Sequence, residues 1–197
     1  VATVARHLKL DLNEIAADNL RKNDEIWPDG LPDAVQYDSQ FDSSMQLPRQ
    51  MSFCFEEDDT VAPSVVRMIP LGDVAERVQR ERERKHLGDQ LDDNATVEDG
   101  YRFHDVIHLA HAAVLGWSPG LRALMGAKRK TDEDVDRVQD GARAIAIEEG
   151  LTAFVFNQVE EAGFLSGSDR VEWELLKHVR RTVRGLEVAD QPPQLGG

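Results

Sequence analysis

The sequence predicts an all-α fold, a predominantly helical bundle, with one small β-hairpin near residues 51–69. Three observations carry this expectation. Apolar residues recur at helical spacing through most of the second half of the chain. Gly and Pro fall where those helices should stop. Strand-like composition marks two short stretches, MSFCF (51–55) and VVRMI (65–69), separated by the acidic turn EEDDTVAPS.

Taken in order, residues 1–27 read as a helix, a break near Lys9 to Asp11, and a second helix from Leu12 to about Ile26. Ile15, Ala16 and Leu20 recur on one side of it, and Pro28, Gly30 and Pro32 end it. From about residue 33 to 50 the chain is rich in Asp, Ser and Gln and reads as a linker or surface loop. After the hairpin, a charged helix is expected from about Asp73 to His86, then the loop GDQLDDNATVEDG. A histidine-bearing helix runs from about Tyr101 to Leu115 and stops at Gly116. Ser118 and Pro119 have the chemistry of a cap and first residue for a short helix ending near Lys128. Thr131 or Asp132 caps a long helix to about Ala162, closed by Gly163. A last helix covers about Ser168 to Leu186, and the tail QPPQLGG is predicted to be disordered. As domains, this gives 1–30, a 31–50 linker, a helical domain over 51–187 and a tail over 188–197.

Length and charge narrow the function. A chain of 197 residues, 41% hydrophobic, can bury one substantial core or one core with an appendage. The formal charge is -14, from 23 basic and 37 acidic residues. That balance argues against broad contact with a nucleic-acid backbone or an anionic membrane and suits a divalent-cation enzyme. The basic runs RERERKH (80–86) and KRK (128–130) lie among acidic neighbours and read as solvated faces. Cys54 is the sole cysteine, so no intramolecular disulfide forms, and a reducing, cytoplasmic location is expected. No apolar run approaches the roughly 20 residues that span a bilayer. The chain opens on Val1 already in helical periodicity, which suggests that it begins inside a longer protein.

The run YRFHDVIHLAHAAVLGWSP (101–119) carries the chemistry. At about 100° per residue, His104, His108 and His111 fall within a stripe of roughly 60°, extended by Tyr101 and Leu115. Val106, Leu109, Ala110, Ala113 and Trp117 occupy the other side, so the histidines sit on a helix packed on several faces and need partners. Glu148, amid Ala144, Ile145, Leu151, Val155 and Val159, can supply an oxygen from a facing helix. The spacing admits a structural polar network, a substrate or catalytic site without a transition metal, or a metal site. Asp105 beside His104 forms the HD pair of metal phosphohydrolases, but no second suitable pair occurs. A glutamate in an apolar face should have its pKa raised, which makes Glu148 and Glu149 candidate general bases. Asp92, Asp93, Glu98 and Asp99 precede the histidine helix, where capping explains them and water-mediated Mg²⁺ binding is the alternative.

Residues 88–156, from GDQLDDNATVEDGYRFHDVIHLAH to AIAIEEGLTAFVF, resemble the C-terminal domain appended to a group of MazG-type nucleoside triphosphate pyrophosphohydrolases. Residues 1–28 are similar to the end of the MazG domain itself, with its Asn-x-x-Lys segment at Asn19 and Lys22. The resemblance implies an all-α, oligomeric protein that splits nucleoside triphosphates into a monophosphate and pyrophosphate. It also implies Mg²⁺ held by an E-E-x-x-E motif and a later E-x-x-D, and nucleotide contact by Asn19 and Lys22. E-E-x-x-E is absent, and the E-x-x-D matches at Glu56 to Asp59 and Glu133 to Asp136 lack that partner motif. Ile26 replaces the arginine usual before the Trp/Phe-Pro pair. The family's last metal-binding aspartate should stand just before Val1. These departures lead to the expectation that this chain alone is inactive as a pyrophosphohydrolase, its histidine-bearing domain being an accessory module.

Overall fold

The computed structural model describes residues 35–82, 86–161, 163 and 171–191, with a few positions between 11 and 21; for residues 79–82 it describes the backbone alone. The first two predicted helices, including Asn19 and Lys22, fall mainly outside the described residues, as do the tail from 192 and the side chains of the basic run at 80–85.

The hairpin forms and is longer than its composition suggested. Strands β1 (Ser52–Asp58) and β2 (Val65–Leu71) pair antiparallel, in a register running from Ser52 opposite Leu71 to Asp58 opposite Val65. Helix α1 (Gly72–Arg82) follows, and strand β3 (Leu87–Leu91) then adds to the free edge of β2. The fold is therefore mixed, six described helices with a three-stranded antiparallel sheet, rather than purely helical. The third strand was hidden in the predicted loop because Leu-Gly-Asp-Gln-Leu offers no apolar alternation and includes Gly88 at φ 74°. Its pairing with β2 is also irregular between Val66 and Met68, so the neighbouring strand rather than local propensity holds it.

The histidine segment is built in three pieces. A 3₁₀ turn (Tyr101–Phe103) leads into α2 (Asp105–Ala110), which widens into a π-type turn (His111–Leu115). Gly116 reverses the chain at φ 64°, and a Cβ there would lie 2.0 Å from the Val35 carbonyl oxygen, so only glycine fits. Ser118 caps α3 (Pro119–Leu124) by accepting the Leu121 amide, as its sequence predicts. The expected long helix is split into α4 (Glu133–Val138) and α5 (Ala142–Glu161). Asp140 at the break is fully buried, and a Cβ at Gly141 would lie 2.0 Å from the Arg137 carbonyl oxygen, so the break is built around a side chain and a close backbone approach. Helix α6 (Trp173–Thr182) and a final 3₁₀ turn (Glu187–Asp190) complete the described chain.

Two apolar clusters result. One joins sheet, α1 and α3 through Met68, Val74, Val78, Leu87, Leu121 and Met125. The other joins α5, α6 and the last turn through Leu151, Val155, Leu175, Val179, Val183 and Val188. The histidine segment lies where they meet, sending Ala112 into the first and Leu115 into the second.

Buried arginines stitch the surrounding loops together. Arg122 donates to Asp38 (2.6 Å) and to the carbonyls of Met45 and Ala127, and Asp38 also accepts from Arg49 and from the Leu47 amide. The segment read as a linker or surface loop is thus tied to the domain through Asp38 and Leu47, both buried, while much of residues 35–50 stays exposed. Arg129 forms a bidentate pair with Asp140 and a second with Glu187. It is 1% exposed, so the KRK run is not a solvated face throughout. A guanidinium at that depth persists because two carboxylates and the Tyr37 carbonyl take its donors.

Candidate functional site

The centre of the site is a carboxylate between two imidazoles. Glu148, on α5, is fully buried. Its Oε2 accepts the Gly120 amide at 2.8 Å from the first turn of α3, which fixes the rotamer. Its Oε1 lies 3.0 Å from His108 Nδ1 and 3.5 Å from His111 Nδ1. Both histidines are buried, at 5% and 3% exposure. On its other side His108 presents Nε2 to Glu149 Oε2 at 3.4 Å, and Glu149 is half-exposed. His104 and Asp105 continue the row outward: His104 Nε2 is 3.8 Å from Asp105 Oδ1, while Nδ1 meets the Tyr101 carbonyl at 2.9 Å. The Tyr101 ring stacks on His104 with centroids 4.3 Å apart and meets Phe156 edge-on.

The electrostatics differ from the sequence expectation. Burial does act to raise the pKa of Glu148, but His108, His111 and the Ser118 hydroxyl outweigh it and bring the carboxyl down to about 2. Burial likewise opposes charge on His108, and the carboxylates of Glu148 and Glu149 overcome it, lifting the imidazole to about 10. Glu149 is also lowered, first by its contact with His108. Glu148 is consequently an ionised, held acceptor rather than a carboxylic acid poised near neutrality. Asp105 is the one carboxyl of the cluster whose pKa is raised, first through its burial.

The three predicted histidines, Asp105, Glu148 and Glu149 are therefore brought together. The acidic loop is not part of this centre. Asp93 accepts the amides of Asp99, Gly100 and Arg102 and the Arg102 guanidinium, so its oxygens are spent on shaping the approach to the histidine segment. Sequence reasoning missed two contributors. Gly120 matters because a Cβ would sit 3.0 Å from Glu148 Oε2; nothing in the local pattern marks that close approach. Thr152 lies four residues after Glu148, fully buried with its hydroxyl unpartnered, a position detectable only as a polar residue on an apolar helical face.

A family model described as the MazG C-terminal domain matches residues 32–195. The chain belongs to the MazG C-terminal domain family. No curated protein and no solved structure matches the chain. All residues of the histidine–glutamate centre lie inside the matched MazG C-terminal domain. The Mg²⁺ associated with MazG-type enzymes asks for octahedral oxygen ligands. Among the described residues, the groups close enough to share one ion are His104, Asp105 and His108, and His108, His111 and Glu148. Donor sets so rich in imidazole do not fit Mg²⁺, and no step through that ion is assigned to this domain. Among the described residues no helix is long and apolar enough to cross a membrane.

Proposed function

We propose that this chain is the accessory C-terminal domain of a MazG-like nucleotide pyrophosphohydrolase, whose catalytic domain hydrolyses nucleoside triphosphates to monophosphate and pyrophosphate with Mg²⁺. The observation that carries the reading is the family match over residues 32–195. In this reading the nucleoside triphosphate and Mg²⁺ belong to the catalytic domain, and the protein works in the cytoplasm as a homo-oligomer without nucleic acid or membrane partners. The site chemistry supports an accessory role. Phosphoryl-transfer centres of this class need several carboxylates to neutralise the triphosphate, and here E-E-x-x-E is absent while Glu148 is anchored by the Gly120 amide and faces two imidazoles rather than further carboxylates.

A second reading, a noncatalytic module that binds a small ligand or partner and regulates the catalytic domain, is favoured by the graded row of side chains. Half-exposed Glu149 and partly buried Tyr101 and His104 lead from the surface to buried His108 and Glu148. Pyrophosphate release from a panel of ribo- and deoxynucleoside triphosphates, with Mg²⁺ and then Mn²⁺, tests both. The 197-residue chain is expected to release none. Release abolished by Glu148→Gln would assign a catalytic centre to this domain and overturn the accessory reading. Nucleotide binding without turnover, read by calorimetry, would favour the second.

A further inference from the structure

We propose that His108, His111 and Glu148 form a binding site for a single transition-metal cation of the Zn²⁺ class, independent of whatever the catalytic domain cleaves. One ligand atom from each of the three lies within 4.8 Å of the other two, and all three residues are buried. Zn–N and Zn–O bonds of about 2.0–2.1 Å place tetrahedral ligand atoms about 3.3 Å apart. The two contacts of Glu148 Oε1, 3.0 Å to His108 Nδ1 and 3.5 Å to His111 Nδ1, bracket that separation. Neither contact is aligned as a hydrogen bond: both ring nitrogens of both histidines and Glu148 Oε1 are buried without a hydrogen-bond partner. Buried polar atoms left so are rare in proteins, and three of the five, the two Nδ1 atoms and Oε1, converge on one another and point to a missing occupant.

The supporting groups are those that a metal site uses. Gly120 anchors Glu148 Oε2, leaving Oε1 aimed at the histidines. Glu149 faces the far nitrogen of His108, the carboxylate–histidine–metal order that fixes ring orientation and strengthens the ligand. The π-type turn beginning at His111 is a backbone form recurrent at functional sites. Two imidazoles and one carboxylate are a donor set of zinc centres that keep a fourth position for water or substrate. A cavity of about 20 Å³ reaches His111 between Leu115, Trp117, Leu151 and Val179, large enough for one water. Imidazole nitrogens select Zn²⁺, Co²⁺ or Ni²⁺ over Mg²⁺ and Ca²⁺.

The test is titration of the chelator-treated full chain with Co²⁺, followed by displacement with Zn²⁺. Binding of one Co²⁺ per chain with the intense visible absorption of four-coordinate nitrogen–oxygen ligation is expected, bleached by one equivalent of Zn²⁺. His111→Gln, with its helical circular dichroism unchanged, is expected to abolish uptake. Glu149→Gln should keep the stoichiometry and weaken affinity about 10- to 100-fold, because it removes only the outer partner of His108. Should a ligand variant not fold, the wild-type result still decides. A folded wild-type chain that takes up no Co²⁺ or Zn²⁺ overturns the site. So does uptake that survives in folded His111→Gln or is lost instead in His86→Gln or His178→Gln.

Discussion

Glu148 Oε1 stands 3.0 Å from His108 Nδ1, and the two side chains, both buried, join α5 to α2 at the meeting point of the two apolar clusters. Removing the carboxylate charge leaves a buried imidazolium with Glu149 as its remaining partner. Glu148→Gln is expected to destabilise the metal-free chain by about 3 kcal/mol, seen as a lower urea midpoint at neutral pH. His108 also predicts an alkaline limit. Its folded pKa of about 10 exceeds the ordinary 6.5, so its stabilisation is complete below 6.5 and is lost as pH rises through about 10. Imidazole NMR of the chelator-treated chain should show one ring that stays protonated up to that range; a His108 titrating near 6.5 would contradict the arrangement.

Gly120→Ala tests the anchor of Glu148. The new Cβ would lie 3.0 Å from Oε2, so the carboxylate or α3 must move by a few tenths of an ångström. A stability loss of about 1–3 kcal/mol is expected from the overpacking. A variant as stable as the wild type would show that the Gly120 amide does not hold the carboxylate tightly.

Asp38→Asn probes the buried anchor of the segment that composition presents as a linker or surface loop. It leaves Arg122, 1% exposed, facing a neutral amide and should cost about 3–5 kcal/mol. Burial acts to raise the Asp38 pKa, but the Leu47 amide, Arg122 and Arg49 win and hold it below 3.8. The ionised aspartate therefore contributes fully above 3.8, and that contribution disappears as pH falls through its lower folded value. The difference in urea midpoint between wild type and variant should shrink on acidification through that window; a constant difference would sink the assignment.

Arg129→Met removes a guanidinium bound to Asp140 and Glu187. Glu187 and the fully buried Asp140 then lose their hydrogen-bonded cation, Asp140 keeping as a cation only Arg122, with Nε at 3.9 Å, and a loss of about 3–5 kcal/mol is expected in thermal or urea unfolding. Asp140 and the α4–α5 break should loosen with it, visible as faster amide exchange at Gln139–Gly141.

The sequence by itself determined that the histidines and Glu148 lie on helical segments and which of their residues share a face, though not that the segment after Thr131 forms two helices or that the histidine segment is built in three pieces. Histidines at i, i+4 and i+7 and a glutamate amid apolar helix positions are periodic signals, legible because an α-helix fixes which residues share a face. The Ser118–Pro119 start and the stop at Gly116 were equally legible, since caps and reversals depend on local backbone chemistry. The length of the hairpin was underestimated, and β3 was invisible, because its stability resides in hydrogen bonds to β2 rather than in its own residues. Tertiary structure alone decided that Arg122 and Arg129 are buried, that Asp38 and Leu47 of the run 35–50 are buried with them, and that Gly120 touches Glu148. It also reversed the expected pKa shift of Glu148. An apolar helical face announces desolvation, which raises a carboxyl, but only the fold brings two imidazoles to within 3.0 and 3.5 Å, where their attraction exceeds that penalty.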